Sequence, residues 1–415
     1  MELQSLREKL KMNVMARIDL TRDMEDAEIG RIIDQCIMEE TREVYVPLKE
    51  KVGLRVELFN SLRRLDVLTE LLEDETVTEI MVNSVEDIFV ERAGVITRYE
   101  KAFSSEERLL TVIQHIVGDC NRRINAASPI VDARLQDGSR VNIVTRPVSL
   151  GGPVITIRRF PKRRIDMQRL IELESLDADV AKVLELLVQA KYNIFISGGT
   201  GSGKTTMLNV LTDFVPKEER IITIEDAAEL QIRGVENLVR LEARMANLEG
   251  ENEITIRDLI KTSLRMRPDR IIVGEVRDAA AIDMLAAMNT GHDGSISTGH
   301  ANSAEDMLLR LETMALMGLE IPLVAVRRQI ASAVDVVIHV SRLRDRTRKV
   351  VKICEVIGME HGEIKLSTLF EYQETGMKNG RVQGAMRKVH DLIHMEKLAS
   401  AGMVDVYEEV VCGLS

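Results

Sequence analysis

Tyr192-Asn193-Ile194-Phe195-Ile196-Ser197-Gly198-Gly199-Thr200-Gly201-Ser202-Gly203-Lys204-Thr205-Thr206 is the stretch that decides the fold. Gly198 and Gly203 stand at the first and sixth positions of a phosphate-binding pattern that closes on Lys204-Thr205. Tyr192 to Ile196 is apolar and reads as a buried strand, and Thr205 to Phe214 reads as a helix. Strand, glycine loop, helix is the order a P-loop requires. The glycines let the backbone turn tightly and aim its N–H groups at phosphate oxygens, and the helix N-terminus adds a partial positive charge. Lys204 is placed to reach the β- and γ-phosphates, and Thr205 to offer its hydroxyl to Mg²⁺. A chance Gly-rich loop is the competing reading, and the flanking strand and helix argue against it. The chain is expected to bind a nucleoside triphosphate such as ATP, with Mg²⁺.

Composition bounds the rest. A chain of 415 residues predicts two or three domains. Its 45% apolar content suffices for real cores, but aromatics make up only 3%, so packing falls to Leu, Ile, Val, Met and Ala. A net charge of −11 disfavours nucleic acid as a standing partner, and none is expected. Cys36, Cys120, Cys354 and Cys412 are dispersed, with no Cys-x-x-Cys pair. They read as reduced thiols of a cytosolic protein, and no zinc is expected. Met1 to Leu20 is charged throughout and does not read as a signal peptide. No window holds the roughly 18 apolar residues of a membrane span. A cytoplasmic protein is expected, peripheral to the membrane if it meets one.

Three segments are expected. Residues 1–61 read as a helical segment: Ile29, Ile32, Ile33, Cys36 and Ile37 recur at helical spacing, as do Leu58, Leu62, Leu65 and Leu68. It is either a docking element or a packing appendage. Residues 62–160 read as a small α+β domain. Strands are expected at Thr76 to Val82, Ile88 to Glu91, Val95 to Thr97, Ile130 to Leu135, Arg140 to Thr145 and Val154 to Ile157. A capping box of Ser104 and Glu107 predicts a helix running to about Asn125, and Asp137-Gly138 predicts a turn. Phe160-Pro161-Lys162-Arg163-Arg164 reads as a linker. Residues 161–415 alternate strand-like and helix-like stretches, which predicts an α/β fold with a largely parallel sheet. After Arg342 two β-like stretches are expected, then a helix near Met386 to Ala399.

Ligands bind at the carboxyl ends of strands in such sheets. Glu225-Asp226 follows Ile221 to Ile224, Glu275 follows Arg270 to Gly274, and Thr298-Gly299-His300 ends a further short strand. Any one of these acids alone could be a helix cap or a solvated loop charge. His300 alone could be a hydrogen-bonded loop histidine, and His292, in Thr290-Gly291-His292, is a weaker candidate of the same kind.

These pieces in this order resemble a known superfamily. Ile224-Glu225-Asp226-Ala227-Ala228-Glu229-Leu230 resembles the Asp box of the type II/IV secretion and pilus traffic ATPases. Arg267 to Asp278, with Gly274-Glu275, resembles their atypical Walker B, and Ser297 to Ser303 resembles their His box. The resemblance spans about residues 62 to 340. It implies a RecA-like P-loop NTPase domain behind a small α+β domain. Asp137-Gly138-Ser139-Arg140-Val141-Asn142 and Ile155-Thr156-Ile157-Arg158-Arg159-Phe160 look most like the CpaF-type ATPases of Tad (Flp) pilus assembly. The four-cysteine zinc module of many relatives is absent from the sequence. The resemblance implies a homohexamer that hydrolyses ATP and acts on an inner-membrane platform protein. By carry-over, Gly201, Ser202, Gly203, Lys204, Thr205 and Thr206 hold phosphates, and Thr205 with Glu275 holds Mg²⁺. Glu225 and Glu275 compete as water-polarising base, His300 senses the γ-phosphate, and Arg140 and Arg158 contact the nucleotide. The rival readings are a conjugation-linked or RecA-like nucleic-acid motor, and a nucleotide-gated scaffold with negligible turnover.

Overall fold

A computed structural model describes residues 2–18, 24–42, 45–120, 122–160, 164–244 and 252–413. Of the linker expected at Phe160 to Arg164, Pro161, Lys162 and Arg163 lie outside them, as do Met1, Asp19 and Leu20. The chain divides into two compact units, Met1–Lys162 and Arg163–Ser415.

The first unit opens with α1 (Glu2–Arg17), α2 (Asp26–Glu40) and α3 (Leu48–Arg63). Leu10, Val14, Ile29, Ile33, Cys36, Leu54 and Leu58 form a core of their own. The apolar run from Leu58 to Leu68 is not one helix. It breaks at Asp66, whose φ of 56° no helix accepts, and α4 (Val67–Glu73) begins after it. The boundary expected at residue 61 falls in the last turn of α3. There follow β1 (Val77–Val82), β2 (Ile88–Arg92), β3 (Val95–Arg98), α5 (Glu106–Asp119), β4 (Ile130–Arg134), β5 (Arg140–Val144) and β6 (Val154–Arg158). The six strands pair antiparallel in the order β3-β2-β1-β6-β5-β4. Alternate residues such as Ile80, Val141, Ile143, Ile155 and Ile157 share a core with Leu109, Ile113 and Ile116 of α5. The α5 cap is Ser105, whose hydroxyl accepts from the Arg108 N–H at 3.2 Å, not Ser104, and α5 stops at Asp119.

The second unit contains α6 (Met167–Glu172), α7 (Ala178–Gln189), β7 (Ile194–Gly198), α8 (Lys204–Thr212), β8 (Ile221–Glu225) and β9 (Leu238–Glu242). It continues with α9 (Ile256–Ser263), β10 (Arg270–Val273), α10 (Ala280–Met288), β11 (Ile296–His300), α11 (Ala304–Gly318), α12 (Leu323–Ala333) and β12 (Val336–Arg342). Last come β13 (Arg348–Glu360), β14 (Glu363–Lys378), β15 (Arg381–Lys388), α13 (Glu396–Ser400) and α14 (Val404–Cys412). Nine strands form one sheet in the order β15-β14-β13-β12-β7-β11-β10-β8-β9. From β12 to β9 every pairing is parallel, and β12 to β15 run antiparallel. The fold is α/β with a parallel-rich sheet.

Parallel strands are buried on both faces, so their residues alternate between two cores. Ile194, Ile196, Ile272 and Ile338 pack with α7 and α8, while Phe195, Ile222, Ile271 and Val337 pack with α10, α11 and α12. The helix expected near Met386 to Ala399 is mostly something else. Met386 lies in β15 opposite Tyr372, and only Glu396–Ser400 is helical. The backbone N–H groups of Ile393 and His394 go instead to the buried carboxylate of Glu355, at 2.8 and 2.7 Å.

β10 is anchored at its start by a buried ion pair. Arg270 is fully buried; its Nε and Nη2 donate to Glu219, the latter at 3.0 Å, and its Nη1 donates to the Val188 carbonyl at 2.6 Å. Removing one partner of a buried pair strands the other charge, which costs about 3–5 kcal/mol. Glu219→Ala is therefore expected to destabilise the second unit by about that amount. Urea unfolding followed by circular dichroism checks this, and a change under about 1 kcal/mol would refute the anchoring role.

Candidate active site

The loop after β7 turns only because glycines allow it. A Cβ at Gly198 would lie 2.3 Å from the Val340 carbonyl oxygen of β12 and 2.5 Å from Ser202 Oγ. Gly201 and Gly203 sit at φ 69° and 102°, the left-handed region glycine favours. Lys204 then starts α8 and is buried, with Nζ donating to the Gly199 carbonyl at 3.0 Å. Ser202 Oγ is buried in the loop with no hydrogen-bond partner. Thr205 and Thr206 follow in the first turn of α8, half-buried.

Strand order decides which candidates come near this loop. β7 neighbours β11, then β10, then β8, and strands lie about 4.8 Å apart. His300, at the end of β11, pairs directly with Gly198. Glu275, just past β10, is two strands from the loop. Glu225, ending β8, is three strands away, roughly 14 Å.

His300 Nδ1 lies 3.3 Å from Lys204 Nζ, and His300 Nε2 lies 3.2 Å from Glu275 Oε1. An ammonium only donates, so both contacts are hydrogen bonds when His300 is neutral, accepting at Nδ1 and donating from Nε2. Burial holds His300 below its ordinary value; the Glu275 carboxylate pulls it up, and the charges of Lys204, Arg277 and Arg310 push it down. Burial works to raise the Glu275 carboxyl. The Arg277 hydrogen bonds and the charges of Arg277, His300 and Lys204 outweigh it and keep Glu275 below the usual carboxylate range. Arg277 grips both Glu275 oxygens, at 2.9 and 3.1 Å, and reaches Asp226 at 3.4 Å.

Glu225 has a different task. Its Oε2 accepts from the Glu229 and Leu230 N–H groups, both at 2.6 Å, tying down the loop after β8. Burial pushes its carboxyl up, against those backbone hydrogen bonds and Arg240. His292 precedes β11, at the opposite end of that strand from His300, and lies against the Ala287 carbonyl at 3.2 Å. It takes no part in this cluster.

In the first unit, Arg140 and Arg158 stand directly opposite each other on β5 and β6. Arg134 on β4 faces Arg140 from the other side. Three arginines thus share one cross-strand row, although like charges directly opposite are unfavourable. Sequence reading did not single out Arg134 or assign roles to Arg277 and Arg348. The first two had a local signal, an arginine near a candidate residue on a strand or just past it. Arg348 Nε donates to the Gly201 carbonyl at 2.8 Å across 147 positions of sequence, a contact only the fold reveals.

A family model described as "Type II/IV secretion system protein" matches residues 62–409. Over 333 residues the chain is 34% identical to a Mycobacterium tuberculosis protein whose name refers to conjugal transfer, covering 79% of this chain and 92% of that one. Over 304 residues it is 32% identical to the type IV secretion system protein VirB11 of Brucella suis, covering 66% of this chain and 84% of the relative. The solved structure of the pilus retraction motor PilT with bound ADP is similar in fold. Its TM-score is 0.52 at 21% identity, over 84% of this chain and 89% of that one.

The signs of the charges around His300 make a paired prediction. Removing Lys204 removes a charge that lowers His300, so Lys204→Ala should move its titration midpoint up. Removing the Glu275 charge removes the one that raises it, so Glu275→Gln should move the midpoint down. NMR titration of the His300 ring in both variants reads this directly. Shifts of the same sign would sink the bridging geometry.

Proposed function

Since the chain belongs to the type II/IV secretion system protein family, we propose that its P-loop site powers a pilus or secretion machine of the Tad (Flp) type. The chain is an ATPase. The observation that carries the reading is the Lys204–His300–Glu275 line at the carboxyl edge of the sheet, beside a glycine loop shaped for phosphate.

Gly198, Gly199, Thr200, Gly201, Ser202, Gly203, Lys204, Thr205 and Thr206 hold the triphosphate in this reading. The left-handed turns at Gly201 and Gly203 and the unpartnered Ser202 hydroxyl suit an anion with many acceptor oxygens. Thr205 and Glu275 fit Mg²⁺, a hard cation that takes hydroxyl and carboxylate oxygens, and the charges around Glu275 favour its carboxylate form. Bound there, Mg²⁺ would offset phosphate charge. Glu275 is also the better base for orienting water, since Glu225 is tied to its own loop. His300, neutral between an ammonium and a carboxylate, is placed to register a γ-phosphate that draws Lys204 away.

Hydrolysis needs further positive charge on the departing phosphate. Arg277 is engaged with Glu275 and Arg348 with the Gly201 carbonyl, and Arg140 and Arg158 are the proposed candidates, contributed by the first unit of the same or a neighbouring subunit. Sharing between neighbouring subunits calls for a ring, and a homohexamer acting on an inner-membrane platform protein from the cytoplasmic face is the assembly proposed. In support, no helix among the described residues is long and apolar enough to cross a membrane. A second reading, a motor in conjugal transfer, is favoured by the name of the Mycobacterium tuberculosis relative. Stimulation of ATPase activity by single-stranded DNA would support it, and the pilus reading expects none.

Lys204→Ala should abolish phosphate release from ATP, since the ammonium meets the β- and γ-phosphates. Glu275→Gln should still bind nucleotide yet hydrolyse about a hundredfold more slowly or worse. Steady-state phosphate release near wild-type rates in either would refute that residue's role.

Arg140→Ala and Arg158→Ala should each lower turnover, by as much as about a thousandfold for an arginine acting on the transition state. Lysine should rescue poorly, because it lacks the planar fork. Phosphate release from assembled oligomer is the measurement, and near-normal rates in both alanine variants would remove the first unit from the active site.

A further inference from the structure

We infer that Arg348 is a positioning residue for nucleotide binding, acting through the backbone of the glycine loop. The inference rests on the nucleotide-binding reading of that loop.

The loop's N–H groups are its phosphate-binding atoms, and its carbonyls must then turn outward and find other partners. Gly201 is the position where this is hardest to hold. Gly201 and Gly203 flank Ser202, and residues without a Cβ rotate with little steric penalty. The Gly201 carbonyl and the Ser202 N–H belong to one planar peptide, whose N–H closes a turn on the Gly199 carbonyl at 3.3 Å, so fixing the oxygen also fixes that turn and the loop it shapes. Arg348 Nε–H holds that oxygen at 2.8 Å. Its stem also runs beside the loop: a Cβ on Gly203 would sit 3.4 Å from Arg348 Cδ.

The arginine is presented from a stiff support. β12 pairs with β7 so that Val340 stands beside Gly198, at the root of the loop. The turn between β12 and β13 is closed by Leu343 N–H to the Thr347 carbonyl at 2.8 Å. Asp345 locks it further, accepting from the Thr347 N–H and hydroxyl at 3.0 and 2.6 Å and from the Val382 N–H of β15 at 2.7 Å. A guanidinium on this ribbon keeps the 201–202 peptide in one orientation before nucleotide arrives, which lowers the ordering cost of binding.

The test compares ADP affinity by calorimetry and ATP turnover in wild type, Lys204→Ala, Arg348→Ala and Arg348→Lys. If wild type neither binds ADP nor hydrolyses ATP, the nucleotide reading itself fails. If wild type is active and Lys204→Ala is dead, that reading stands, and Arg348 is then tested by itself. Arg348→Ala should weaken ADP binding about tenfold, the worth of one charge-assisted hydrogen bond. The KM for ATP should rise by more than kcat falls, and the melting temperature without nucleotide should stay at the wild-type value. Arg348→Lys, which keeps a donor on the same stem, should recover part of the affinity. Wild-type affinity in Arg348→Ala would overturn the inference, as would a loss of binding matched by a fall in the melting temperature of the free protein.

Discussion

No side chain can stand at Gly198, and the arrangement of the active edge follows from that. With no Cβ there, β12 passes within contact of the loop root and the chain turns at once toward α8. β7 is thereby clamped between β11 and β12, with Gly198 beside His300 on one flank and Val340 on the other. A larger residue would have to displace a backbone carbonyl in a central strand, where nothing yields cheaply. The same clamp brings the β12–β13 ribbon to the loop, so the antiparallel half of the sheet serves as a brace for the parallel half.

Distance across the sheet then sorts the charged groups. Lys204 and Glu275 are both held in the site at a separation one imidazole can bridge, and His300 bridges it as a neutral ring. A protonated His300 would face the Lys204 ammonium at 3.3 Å with no acceptor to offer it. Arg277 completes the balance by taking both Glu275 oxygens and touching Asp226, which links the end of β10 to the loop after β8. Glu225, one strand further out, serves that loop's backbone. Two acids that look alike on paper thus differ in work because one strand of about 4.8 Å separates them.

Much of this was legible where the signal is local. The glycine loop, Asp137-Gly138, and the strand-end positions of Glu225, Glu275 and His300 all follow from short-range pattern. What depends on pairing partners was not. Met386, Val389, Leu392 and Ile393 mimic helical spacing, yet Met386 is recruited by Tyr372 and the following backbone by Glu355. Two adjacent serines, Ser104 and Ser105, offered alternative caps, and the one whose hydroxyl meets the N–H three residues on prevailed. The nearness of Glu275 rather than Glu225 needed the lateral strand order, which crossovers fix and no local window contains. Arg348 reaches Gly201 from the start of β13, a strand that sequence showed only as a short β-like stretch.

The arginine row of the first unit bears on how the chain distributes charge. The protein carries a net charge of −11, yet Arg134, Arg140 and Arg158 stand in one register line on three adjacent strands. The row's next position along the sheet is Glu79 on β1, so one side chain of opposite sign adjoins three alike. Cross-strand pairs of one sign weaken a sheet, and a fold gains nothing from lining them up. An anion laid across the row reverses the sign of the interaction, and guanidinium forks match phosphate oxygens better than any other side chain. The second unit supplies a phosphate-shaped loop with one buried ammonium, while its two nearby arginines are engaged, Arg277 with Glu275 and Arg348 with the Gly201 carbonyl. A reaction that spreads negative charge over phosphoryl oxygens needs more cations than that loop holds.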